Sequence, residues 1–123
     1  MAKIVHFDVP VDEIERARKF YTELFEWKIE KAPGPIEYYF IETADKDGKG
    51  VAGGMGKRGA PDQRITNYIG VDSVDEYMEK VKSLGGKIQG EKMTVPGFGY
   101  LAICSDTEGN TFGLWQVDKE AKE

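Results

Sequence analysis

Residues 3–25, KIVHFDVPVDEIERARKFYTELF, decide the fold once they are set beside residues 64–86, RITNYIGVDSVDEYMEKVKSLGG. The first nine residues alternate with period two. Val5, Phe7, Val9 and Val11 fall on one face of a strand, and Ile4, His6 and Asp8 on the other. Asp12 then opens a helix, with Glu15 at the capping-box spacing. Ile14, Ala17, Tyr21, Leu24 and Phe25 make its apolar stripe. The second stretch repeats the order. A strand over 64–72 runs into a helix begun at Asp72 or Ser73, with Glu76 three residues beyond Ser73. Val74, Tyr77, Met78, Val81 and Leu84 form its stripe, and Gly85-Gly86 ends it.

Three strands follow each helix. After the first come Trp27–Ala32, Glu37–Thr43 and Val51–Lys57, separated by the turn-rich pieces APGP and DKDGKG. After the second come Lys87–Thr94, Tyr100–Ser105 and Thr111–Val117, the last two joined by DTEGN with Gly109 at the positive φ of a hairpin. Laid over itself with an offset of 60, the chain matches Val5 to Ile65, Val9 to Ile69, Val11 to Val71, Ile14 to Val74 and Leu24 to Leu84. The pattern predicts an α+β fold of two βαβββ modules, each an antiparallel sheet covered on one face by its helix. We expect one domain over 1–123, with module 1 about 1–60, module 2 about 61–118, and a frayed tail over 119–123. A ferredoxin-like βαββαβ plait competes, but it has four strands where this sequence offers about eight.

Seventeen Lys and Arg against 22 Asp and Glu give a net charge of −5. That argues against nucleic acid or an anionic membrane as partner, since phosphate binding needs positive surface. One cysteine, Cys104, allows no internal disulfide and no cysteine-based zinc site, and in mid-strand it reads as a small buried hydrophobe. The opening MAKIVHFDVP has no apolar run of signal or membrane-span length, and the expectation is a cytoplasmic protein.

Two apparent motifs carry no chemistry. Gly48, Gly50 and Gly53 spell GxGxxG, but GMGKRGAP cannot open the helix a dinucleotide site needs. DKDGKG begins like a calcium loop, yet Lys49 and Gly56 stand where chelating groups belong. Lys57 and Arg58 form a basic pair, solvated or edging an anionic pocket. His6 is the only histidine, and Asp8 stands two residues along the same strand face, roughly 7 Å away. The pair could act as acid and base in one cavity, or line a pocket as polar groups, or His6 could be a hydrogen-bonded structural histidine.

Three stretches, HFDVPVDEIERARKFYTELFEW, ITNYIGVDSVDEYMEKVKSLGG and DTEGNTFGLWQ, together resemble the vicinal oxygen chelate superfamily. That group includes glyoxalase I, the bleomycin-resistance proteins and the extradiol dioxygenases. The resemblance covers the whole chain and implies mostly antiparallel sheets curling around a cleft, often completed by dimerisation. Its metal enzymes place ligands on the first and last strand of each module. Carried over, those positions are His6, Gly53, Thr66 and Gly113. One ligand of four cannot hold a divalent cation, so no metal and no cofactor are expected.

Strand parity places His6, Asp8, Gly53, Met55, Thr66, Tyr68, Gly113 and Trp115 on the cleft side as candidate ligand-binding residues, with His6 and Asp8 also the catalytic candidates. Tyr38, Tyr39 and Phe40 are further candidates whose parity the sequence leaves open. The leading expectation is a metal-independent protein binding a small apolar or aromatic organic ligand, present as a homodimer. One alternative is a lyase- or isomerase-type enzyme using His6 and Asp8. Another is a dimerisation or interaction module whose cleft is filled by its own side chains.

Overall fold

The computed structural model describes residues 2–44, 47, 48 and 50–122, so part of the DKDGKG loop and the last tail residue lie outside the described residues. The element order is β1 (Lys3–Val11), α1 (Ile14–Phe25), β2 (Lys28–Lys31), β3 (Tyr38–Glu42), β4 (Gly53–Lys57), β5 (Thr66–Gly70), α2 (Val74–Ser83), β6 (Lys87–Val95), β7 (Gly99–Ser105) and β8 (Thr111–Val117). This is the α+β pattern of two βαβββ modules that the repeat predicts. The chain forms two compact units, one of His6–Thr66 and one of Met1–Val5 with Asn67–Glu123.

In the His6–Thr66 unit the strands run in the order β2-β3-β4-β1. The pairs β2/β3 and β3/β4 are antiparallel, whereas β1 and β4 are parallel, because the helix and two strands between them return the chain in the same direction. Val9, Val11, Ile14, Ile29, Ile41 and Met55 form the core, with Phe7, Ala17, Tyr21, Trp27 and Tyr39 packed against it. Tyr21 and Trp27 stack with ring centroids 5.3 Å apart. Arg18 donates from Nε to the Ile29 carbonyl at 3.0 Å and lays its guanidinium over the Tyr39 ring, fixing α1 on β2 and β3.

The other unit repeats the plan in the order β5-β8-β7-β6, with β5 and β8 parallel and the remaining pairs antiparallel. Val74, Ala102, Cys104 and Leu114 are its core, and the exclusion of water from Cys104 pushes its thiol pKa up. Gln116 on β8 accepts a 2.9 Å bond from the Val74 amide, tying the start of α2 to the sheet.

Local expectations fail in four places. Ser73 caps α2, accepting from the Glu76 amide at 3.1 Å, but Asp12 does not cap α1. The N-cap there is Glu13, without a side-chain cap bond, and Asp12 instead accepts from Arg58 Nε at 3.0 Å. Leu24, Phe25 and Leu84, the last apolar residues of the two stripes, are exposed rather than buried. The tail is held at Ala121 rather than frayed there: Ala121 is buried, and its carbonyl accepts from the Gly97 amide at 3.0 Å. Finally, Gly53 and Met55 belong to the core face, a change that reorganises the site.

Candidate functional site: a histidine, a carboxylate and a phenol over glycine

The face of the His6–Thr66 unit turned away from α1 carries His6 and Asp8 on β1. Their neighbours on β4 follow from the parallel register, in which Phe7 lies beside Gly53, Asp8 beside Gly54 and Val9 beside Met55. Side chains alternate along a strand, so Gly54 and Gly56 share the face of His6 and Asp8, while Gly53 and Met55 share that of Phe7 and Val9. Met55 is fully buried in the core, and a Cβ on Gly53 would fall 2.5 Å from the Phe7 carbonyl oxygen. The repeat explains the error. The first strands of the two units stand 60 residues apart, but Gly54 beside Asp8 and Gly113 beside Tyr68 are 59 apart. A one-residue slip moves every side chain of a strand to its other face.

Beyond β4 lies β3, with Tyr38 beside Gly56 and Phe40 beside Gly54. Tyr38 and Phe40 therefore lie on the open face, and Tyr39 on the core face next to Met55. Tyr38 reaches across the whole width of β4 to β1, about 10 Å at ordinary strand spacing. Glycine makes this possible: a Cβ on Gly54 would sit 1.6 Å from the Tyr38 hydroxyl oxygen. The phenol donates to Asp8 Oδ1 at 2.6 Å, and His6 Nε2 stands 2.9 Å from that same oxygen and 3.1 Å from the phenol oxygen. With the hydroxyl proton given to Asp8, the remaining contacts are met when Nε2 carries a proton and donates to the carboxylate and the phenol. The His6 and Asp8 side chains are 33% and 35% exposed, enough for a ligand to reach them.

As metal donors His6 and Asp8 supply one imidazole and one carboxylate, fewer than the three or four N, O or S donors that a divalent cation site gathers. Among the described residues no three of His, Cys, Asp or Glu come together.

The remaining candidates lie elsewhere. Thr66 begins β5, its hydroxyl donating to the Arg64 carbonyl at 3.4 Å. In the second unit Tyr68 lies beside Gly113, and Gly70 beside Trp115, on the face opposite Leu114 and the core. A Cβ on Gly113 would meet the Tyr68 ring at 2.2 Å, so this glycine too is a floor under an aromatic ring. The structure thus joins His6 with Asp8, and Tyr68 with Gly113, and turns Gly53 and Met55 inward. Sequence reasoning left Tyr38 unplaced. The available signal was three glycines in GGMGK beside the aromatic strand YYF, since a strand stripped of side chains leaves room for its neighbour's rings.

A family model described as Glyoxalase/Bleomycin resistance protein/Dioxygenase superfamily matches residues 3–114. The chain is 32% identical over 116 residues to "Putative glyoxylase CFP32" of Mycobacterium bovis and of Mycobacterium tuberculosis, a match covering 91% of this chain and 44% of those proteins. It therefore spans less than half the length of these mycobacterial relatives. It is 30% identical to a "Glyoxylase-like domain-containing protein" of Didymella fabae, with 91% of each covered. Among solved structures, a hypothetical protein of Bacillus halodurans superposes with a TM-score of 0.70 at 17% identity over 99% of both chains. Methylmalonyl-CoA epimerase of Streptomyces coelicolor superposes with a TM-score of 0.70 at 11% identity over 98% of both, which shows a shared fold. Among the described residues no helix is long and apolar enough to cross a membrane. With a match over nearly its entire length and the same twice-repeated βαβββ plan, the chain belongs to the glyoxalase/bleomycin-resistance protein/dioxygenase superfamily.

Proposed function

We propose that this protein binds a small organic molecule with an apolar or aromatic body on the open face of the His6–Thr66 unit, without a resident metal ion. The observation that carries the reading is the hydrogen-bonded triangle of His6, Asp8 and Tyr38 laid over Gly54 and Gly56. Ligand sites combine apolar and aromatic walls with a few converging polar groups. Here Tyr38 and the exposed Phe40, whose rings meet edge to face at 5.9 Å, form the wall, and the triangle is the polar anchor. The reading includes a homodimer, on the strength of the family resemblance, and a cytoplasmic location.

The test is calorimetric titration with a panel of phenols and aromatic alcohols, alongside metal analysis of protein purified without added metal. Saturable binding that weakens about tenfold in Tyr38→Phe and in His6→Gln is expected, as loss of a hydrogen bond to a charged group predicts. A full equivalent of zinc, nickel, manganese or iron per chain overturns the metal-free reading.

A second reading makes the triangle an acid–base device in an isomerase- or lyase-type enzyme. It is favoured by the contact of one imidazole nitrogen with both a carboxylate and a phenol. Methylmalonyl-CoA epimerases are among the solved structures that share the fold, and an isomerase-type reaction is in keeping with that. In that case His6→Ala abolishes turnover and leaves ligand binding measurable, whereas under simple binding no turnover exists to lose.

A further inference from the structure

We propose a second binding site, for a monoanionic organic acid with an apolar body, in the groove between α1, the end of β1 and residues 58–65. The groove is open to solvent and holds about 500 Å³, room for a small organic molecule. One wall is apolar, with Val9 and Val11 at its base and the rings of Phe20 and Tyr21 on α1. Phe20 and Ile65 are 59% and 55% exposed, so apolar surface there faces the groove without a cover from this chain. Val9 and Val11 lie on the α1 side of β1, the side opposite to His6 and Asp8, which separates this site from the triangle.

The rim decides the ligand's charge. Arg16, Arg58 and Arg64 line the groove with Asp12 and Glu13, leaving one positive charge in excess on a chain whose net charge is −5. Two of the guanidiniums are paired: Arg16 with Glu13, and Arg58 with Asp12 at 3.0 Å. Arg64 differs. Its Nη1 donates to the Pro61 and Gln63 carbonyls at 3.0 and 2.9 Å, and among the described residues it has no carboxylate partner. Those two bonds hold its planar fork in place while leaving Nε and Nη2 as donors for an incoming carboxylate. The segment that carries it is itself braced. Arg58 also donates to the Gln63 carbonyl, the Gly59 amide donates to Gln63 Oε1 at 2.6 Å, and the Gln63 amide closes a turn on Ala60 at 3.0 Å. A single fixed cation beside an exposed aromatic wall selects one negative charge attached to an apolar body.

The probe is 4-phenylbutyrate, with the uncharged 4-phenylbutyramide as its isostere, followed by amide NMR shifts on the full chain. The carboxylate is expected to shift Arg16, Phe20, Gly59 and Arg64 and the amide to leave them in place. Arg64→Gln should weaken binding about tenfold or more, as loss of a charge-assisted hydrogen bond predicts. His6→Gln should leave it unchanged, which keeps this result separate from the triangle's. Equal binding of acid and amide, or unaltered affinity in Arg64→Gln, overturns the proposal. So does sedimentation showing that two copies pair across this face and separate in Phe20→Ser.

Discussion

The two βαβββ units are built from one plan and furnish their open faces differently. Each has a first strand paired in parallel with its last, and in each a glycine on the last strand lies under an aromatic ring. In the second unit that ring is Tyr68, rising from the strand directly beside Gly113. In the first it is Tyr38, which comes from the opposite side and crosses the sheet to reach His6 and Asp8. The same vacancy is used once to seat a neighbouring ring and once to bring a phenol into hydrogen bonding with an imidazole and a carboxylate. A repeat fixes the scaffold, and the few positions where its halves differ fix the chemistry.

The cores offer the largest way to sharpen this contrast. Met55 is fully buried among β-branched side chains in the first unit, and Cys104, on the strand next to the last, is fully buried in the second. Met55→Ala should cost about 2–5 kcal/mol in chemical unfolding and Cys104→Ala roughly 1 kcal/mol, in line with the volumes removed. Equal losses would mean that Met55 is not the centre of its core.

The glycine floors come next. In Gly113→Ala the new methyl meets the body of the Tyr68 ring, and a loss of about 1–3 kcal/mol is expected as the ring is forced from its seat. In Gly54→Ala the methyl meets the hydroxyl end of Tyr38, which can swing outward, so stability should change by less than about 1 kcal/mol. The His6 imidazole resonances should nevertheless move as the triangle opens. If they do not, Tyr38 is no part of the His6 cluster.

The helix starts give the smallest effect. Ser73→Ala removes a true cap and should cost about 1 kcal/mol. Asp12→Ala removes only an exposed ion pair with Arg58, worth about 0–1 kcal/mol and fading in salt. Equal and salt-independent losses at the two positions would show that Asp12 caps α1 after all.

Much of this architecture could be read from the chain because it is written in short-range periodicity. Alternation in KIVHFDVPV and helical spacing from Ile14 to Tyr21 each need only a dozen residues. Their recurrence 60 residues later sets the module count. His6 and Asp8 were legible as a pair for the same reason, since residues two apart on one strand share a face.

What the chain could not show were the relations between strands distant in sequence. The one-residue difference between first-strand and last-strand offsets reversed the faces of Gly53 and Met55, and no local pattern in GGMGK records it. Tyr38 could not be assigned because YYF is apolar at every position, so parity has nothing to alternate against. Of the groove beside α1, only the basic pair at Lys57 and Arg58 is legible in the sequence, because Phe20 and Arg64 come to line one groove only through folding. Sequence alone determined the two modules, their helices and the histidine–carboxylate pair, since local sterics and hydrophobic period set those. The tertiary structure decided which glycines form the floor and which phenol completes the site, since register and cross-strand reach depend on residues far apart in the chain.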